Sequence, residues 1–121
     1  MSADVRRRTV RLTAAAENDF RDIVRWTLTE FGSRQARVYA ATLSAALRDL
    51  TAGPSTPGAR QRDEIAKGVF SLHVAWKGRK GRHFVIFRIV RDQDTNMIDV
   101  LRLLHDAMGL PRHLPPSDVN D

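Results

Sequence analysis

The chain has 121 residues, no cysteine and a formal charge of +6, from 20 Lys and Arg against 14 Asp and Glu. That length suits one ordinary domain and is too short for two, and the lack of thiols excludes a disulfide framework, a thiolate zinc site and a cysteine nucleophile. No apolar run nears the ~20 residues that span a bilayer. The basic start MSADVRRRTVRL lacks the apolar stretch of a secretion signal, so a cytoplasmic protein is expected.

In chain order, Arg8–Thr13 alternates polar and apolar and predicts a short strand with Val10 and Leu12 inward. Thr13 suits the N-cap of a helix over 14–31, whose apolar stripe is Ala16, Phe20, Ile23, Val24, Thr27 and Phe31. Gly32 suits a left-handed helix end and Ser33 the N-cap of a second helix over 33–51, with Ala36, Tyr39, Leu43, Ala46, Leu47 and Leu50 on its face. So short a turn predicts an antiparallel helical hairpin. TAGPSTPGARQRDEIAKG then ends the helical part and is long for a structureless connection, which predicts a mobile or partner-bound loop. VFSLHVAW, HFVIFRIV and MIDVLRLL read as three strands of an antiparallel meander. The order is β-α-α-β-β-β, an α+β fold with a helical hairpin on an antiparallel sheet. One domain is expected over 1–114, followed by a disordered polar tail, 115–121.

Simple alternation puts Phe84, Ile86, Arg88 and Val90 on one side of their strand, and Ile98, Val100, Arg102 and Leu104 on one side of theirs. Arg88 and Arg102 then stud an apolar face that no element of the chain is expected to cover, either as contacts on a binding surface or in internal salt bridges with Asp99 or the tail. Trp26 falls off the stripe of its helix, at the domain edge or in a partner groove. Trp76 is read as closing the core. KGRKGR gathers Lys77, Arg79, Lys80 and Arg82 at a turn, either solvated or in electrostatic contact with a target. Arg6, Arg7 and Arg8 read as a solvated arm. The four histidines (His73, His83, His105, His113) form no i, i+4 helical pair beside carboxylates, so neither metal nor cofactor is expected.

With those residues in place, the sequence resembles the ParE branch of the RelE/ParE toxin superfamily. The resemblance runs through RDEIAKGVFSL, FVIFRIV and VLRLLHDAMGLPRHL, and rests on Asp63, Glu64, Ile65, Gly68, Leu72, Phe87, Arg88, Val100, Arg102 and His105 in order. Two departures stand out. Phe70-Ser71 replaces the arginine usual after the strand-entry glycine, and Asp106-Ala107-Met108-Gly109 keeps only the methionine of the segment after the histidine.

The resemblance implies a toxin of a two-component module, neutralised by a ParD-like ribbon-helix-helix antitoxin whose acidic amphipathic C-terminal segment wraps it in a hetero-oligomer. It also implies DNA gyrase as target, with no sequence-specific DNA contact by this chain. Antitoxin contact is expected at Trp26, Phe87, Arg88, Val100 and Arg102, and target contact at Lys77, Arg79, Lys80, Arg82, His105 and Met108. The superfamily's RelE branch instead cleaves ribosome-bound mRNA. Such chemistry needs a second acid–base group beside His105; VFSLHVAW offers no lysine or carboxylate, and Tyr39 lies in the second helix. His105 is therefore read as a strand-ending or binding residue, with no catalytic residue expected. A non-toxic antitoxin-binding relative is the third reading.

Overall fold

The computed structural model describes residues 9–92 and 95–107. Met108, the Arg6–Arg8 arm and the polar tail lie outside them. β1 (Thr9–Leu12) leads into α1 (Ala14–Phe31) and α2 (Ser33–Asp49). A 3-10 stretch over Leu50–Ser55 and a two-residue strand, β2 (Arg60–Gln61), precede β3 (Val69–His73), β4 (His83–Asp92) and β5 (Thr95–His105).

Thr13 starts α1 as its spacing predicts. Its backbone is extended, its Oγ accepts from the Ala16 N–H at 3.1 Å, and its hydroxyl donates to the Leu101 carbonyl at 3.0 Å. A cap of this type is worth about 1 kcal/mol. The turn between the helices is a single residue, Gly32, at φ 92 and ψ 173. Its N–H closes α1 on the Leu28 carbonyl and its own carbonyl accepts from Ala36, so it terminates both helices. The expected N-cap, Ser33, is already inside α2, and Gly32 is not in the left-handed helical region, although its positive φ still favours glycine.

The sheet order is β1-β5-β4-β3-β2. β1 runs parallel to β5, while β2–β3, β3–β4 and β4–β5 are antiparallel. The sheet is thus mixed, because the helical hairpin returns the chain so that β1 borders the last strand and not a hairpin neighbour. Leu43, Ala46 and Leu50 pack on Leu72, Val85, Phe87, Ile98, Val100 and Leu103 beneath the helices. Each large side chain removed from water there contributes roughly 1.5–3 kcal/mol.

The opposite face is covered too, contrary to expectation. Val69, Ile86, Leu101 and Leu104 form a second buried cluster beneath Ile65 and Ala66. Arg62 lies over it, its Nε donating to Ser71 Oγ at 2.8 Å and its guanidinium 5.6 Å from the Phe84 ring centre. The connection read as structureless is therefore a lid on the sheet, fixed by apolar residues that carry no strand or helix periodicity.

One irregularity decides where the strand side chains go. Phe87 pairs with Val100 but its neighbour Ile86 pairs with Arg102, so Leu101 is an extra residue bulged into β5. Beyond the bulge the alternation changes phase. Leu103 joins Ile98 and Val100 in the core under the helices, and Leu104 joins Leu101 on the other face. Arg102 turns to Asp19 of α1, its Nε donating at 2.7 Å and its Nη2 at 3.0 Å, while the Leu103 N–H donates to the same carboxylate at 2.9 Å. Arg88 stands on the lidded face, between Val69 and Asp99 in the pairing. The two arginines do not share a surface.

Candidate functional groove

The exposed apolar residues gather on the helical hairpin. Trp26 is 58% exposed, Phe31 62% and Val38 53%. Phe31 was expected in the core stripe, but it falls in the last turn of α1, past the edge of the sheet, where it meets Trp26 edge to face at 5.7 Å. These side chains, with Thr27, Gln35 and Tyr39, form one wall of a groove of about 610 Å³. The other wall is Lys80, Gly81, Arg82 and His83 from the β3–β4 connection and the start of β4, and His105 at the end of β5.

The bulge builds the polar end of this groove. It advances the register by one residue, so that His83 faces His105 across the ladder. Without it, His83 would face Leu104. The two imidazoles meet edge to face with centres 5.2 Å apart. Tyr39 reaches them from α2, its hydroxyl 2.6 Å from His83 Nδ1 and accepting the Arg82 backbone N–H at 3.0 Å. Gly81 makes that approach possible, since a Cβ there would collide with Val74 and crowd the Tyr39 ring and hydroxyl. Tyr39 is therefore not remote from the histidines, as its place in a helix suggested.

Asp106 closes the end. It accepts from His73 Nε2 at 2.9 Å and from Arg82 Nε at 3.2 and 3.3 Å. The His73 hydrogen bond is the larger of these influences, which together hold its carboxyl below the usual carboxylate range. His105 Nδ1 accepts the Ala107 N–H at 3.1 Å, and His73 Nδ1 accepts the Ala75 N–H at the same distance. Burial raises the Tyr39 phenol pKa. Burial first, and the neighbouring His105 second, push His83 down to about 4.

That shift gives a stability prediction. The unfolded chain protonates His83 near its ordinary value of ~6.5, whereas the folded chain resists until about 4. The unfolded state thus binds more protons between these limits, and stability falls as the pH drops through them. In full the shift corresponds to ~3 kcal/mol, and the partial exposure of the ring reduces this to about 1–2 kcal/mol. Urea midpoints at pH 7.0, 5.5 and 4.5 should show the loss in wild type and a flatter profile in His83→Asn. Parallel profiles would show that His83 does not set it.

The structure separates the residues expected to form one surface. Trp26 is exposed on the groove wall. Phe87 and Val100 are fully buried in the core and present nothing to a partner. Arg102 is committed to Asp19. The KGRKGR cations divide as well: Lys77 and Arg79 pair with Asp49 at 3.5 and 2.9 Å, Arg82 pairs with Asp106, and Lys80 stays exposed beside the groove. Trp76 packs on the core as expected, its indole N–H donating to Asp49 at 3.3 Å. His105 does end its strand. Among the described residues, no three histidine or acidic side chains are grouped to hold a metal ion, and no helix is long and apolar enough to cross a membrane.

Known proteins share this architecture. The family described as "ParE toxin of type II toxin-antitoxin system, parDE" matches residues 10–110. Toxin ParE of Escherichia coli is 31% identical over 103 residues, which is 85% of this chain and 89% of that protein. A chromosomal ParDE toxin–antitoxin system from P. aeruginosa superposes with a TM-score of 0.64 at 17% identity, covering 83% of this chain and 97% of that one. The RelBE2 toxin–antitoxin complex of Mycobacterium tuberculosis superposes at 0.54 with 24% identity, covering 82% and 98%. At those identities the two structures establish the shared fold.

Proposed function

The chain belongs to the family of ParE toxins of type II toxin–antitoxin systems, and from that premise we propose that it acts in the cytoplasm by binding DNA gyrase, held in check by a ParD-like antitoxin. The observation that carries a binding role is the groove, where Trp26, Phe31 and Val38 stand exposed beside Lys80 and Arg82. Aromatic side chains left in water next to cations suit an acidic, amphipathic partner segment.

The rival reading, mRNA cleavage, draws on the nearness of Tyr39, His83 and His105. It is weakened because Arg102, a candidate cation for the transition state, is spent on Asp19.

Expression without antitoxin should halt replication, induce the DNA-damage response and make cells filament while bulk mRNA stays intact. Purified protein should inhibit gyrase supercoiling, and the antitoxin should reverse this. His105→Ala should lower toxicity less than about tenfold, against the roughly 100- to 10,000-fold loss expected for a general acid or base. Codon-specific mRNA cleavage that disappears in folded His105→Ala would replace gyrase binding with nuclease action.

A further inference from the structure

His83 and His105 line the groove, and their hydrogen bonds bear on which nitrogen carries the proton. The Ala107 N–H is a donor, so His105 Nδ1 must accept it and the ring proton sits on Nε2. The Tyr39 hydroxyl accepts the Arg82 N–H and lies 2.6 Å from His83 Nδ1, which can accept its proton. We assign the His83 proton to Nε2 as well, the tautomer in which the Tyr39 hydroxyl donates to Nδ1 of a ring that stays neutral well below pH 7. Neither Nε2 has a hydrogen-bond partner among the described residues. The two rings, on opposed strands, line one end of an apolar groove.

We propose that His83 and His105 are paired hydrogen-bond donors which, with Lys80, hold a carboxylate of a protein partner, while an apolar side chain beside that carboxylate packs on Trp26 and Phe31. This rests on the groove being a protein-binding site and specifies what the bound segment must contain: an acidic residue next to an apolar or aromatic one. A ring that offers N–H to the groove cannot take a proton there, so the pair does not act as a base. Asp106 does not repel the incoming charge, because Arg82 and His73 already meet its carboxylate. A protein suits the groove better than a nucleic acid. Its wall is apolar and aromatic, and two of the four KGRKGR cations are turned away to Asp49, which among the described residues leaves no cationic stripe along the groove to follow a phosphate backbone.

Asparagine at 83 and 105 keeps an acceptor near the place of Nδ1, and so the inward bonds, but lacks Nε2–H. The full chain would be titrated with phenylacetate, 2-phenylethanol and phenyl phosphate, following the Trp26 indole and the imidazole signals by NMR. Phenylacetate should bind wild type at least ~5-fold more tightly than the uncharged alcohol, and in His83→Asn/His105→Asn this advantage should vanish while alcohol binding persists. Long-range proton–nitrogen spectra of the free protein at pH 7 should show Nε2–H on both rings.

Nδ1–H on either ring, equal binding of acid and alcohol by wild type, or an unchanged advantage in the double variant would overturn the proposal. Preference for phenyl phosphate would turn the site towards nucleic acid, and a concentration-dependent dimer dispersed by Trp26→Ser would make a second copy its occupant. These measurements involve neither gyrase nor toxicity. A protein that passes them without being toxic would overturn the toxin reading alone.

Discussion

Asp19→Ala should destabilise the domain by about 3–5 kcal/mol, the cost of removing one partner from a largely buried ion pair. The carboxylate accepts from Arg102 Nε and Nη2 and from the Leu103 N–H, and both side chains are mostly out of water. Alanine would strip the guanidinium of its carboxylate partner and leave the backbone N–H at the bulge without its acceptor. The melting temperature should fall by more than ~10 °C. Replacing both members by leucine should recover most of the loss, since an apolar pair carries no desolvation cost. A drop below ~1 kcal/mol in the single variant would show that the pair contributes little.

The second large effect concerns association. Trp26→Ala/Phe31→Ala should weaken binding of the antitoxin at least ~30-fold, or about 2 kcal/mol or more, because exposed aromatics at the centre of an interface carry a large share of its energy. Both side chains are more than half exposed in the isolated chain, so the urea midpoint should move by no more than the equivalent of ~0.5 kcal/mol. Calorimetry on the variant and wild type separates the two quantities. Full affinity in the folded variant would move the antitoxin to another surface.

The helices were legible because their apolar spacing and the Thr13 cap are local properties, and so were the meander strands with their β-branched and aromatic runs. What escaped is what a single inserted residue does at long range. Simple alternation put Val100 and Arg102 on one exposed face; the bulge at Leu101 sends Arg102 to Asp19 and leaves Val100 beneath the helices. The same shift brings His83 opposite His105, which neither strand's composition announces. Tyr39 was read as part of a helical core stripe, and its ring does pack there; its hydroxyl, however, extends to the sheet end through the space Gly81 leaves. Ile65 and Ala66 escaped for a related reason. An irregular segment that covers a sheet has no period to detect.

The parallel pairing of β1 with β5 also bears on when the molecule can form. Arg11 binds Asp99, and Thr13 binds the backbone of Val100 and Leu101, so partners 87 or 88 residues apart in sequence fix the first strand. Segments made first on the ribosome must therefore wait for those made last, and contacts of such high sequence separation slow folding through the entropy of closing the chain. His105, which completes the groove, emerges after all of them. A nascent chain that stops short of residue 97 lacks both the strand that anchors β1 and His105 of the groove wall. Throughout most of its synthesis, therefore, the chain has no finished groove to present.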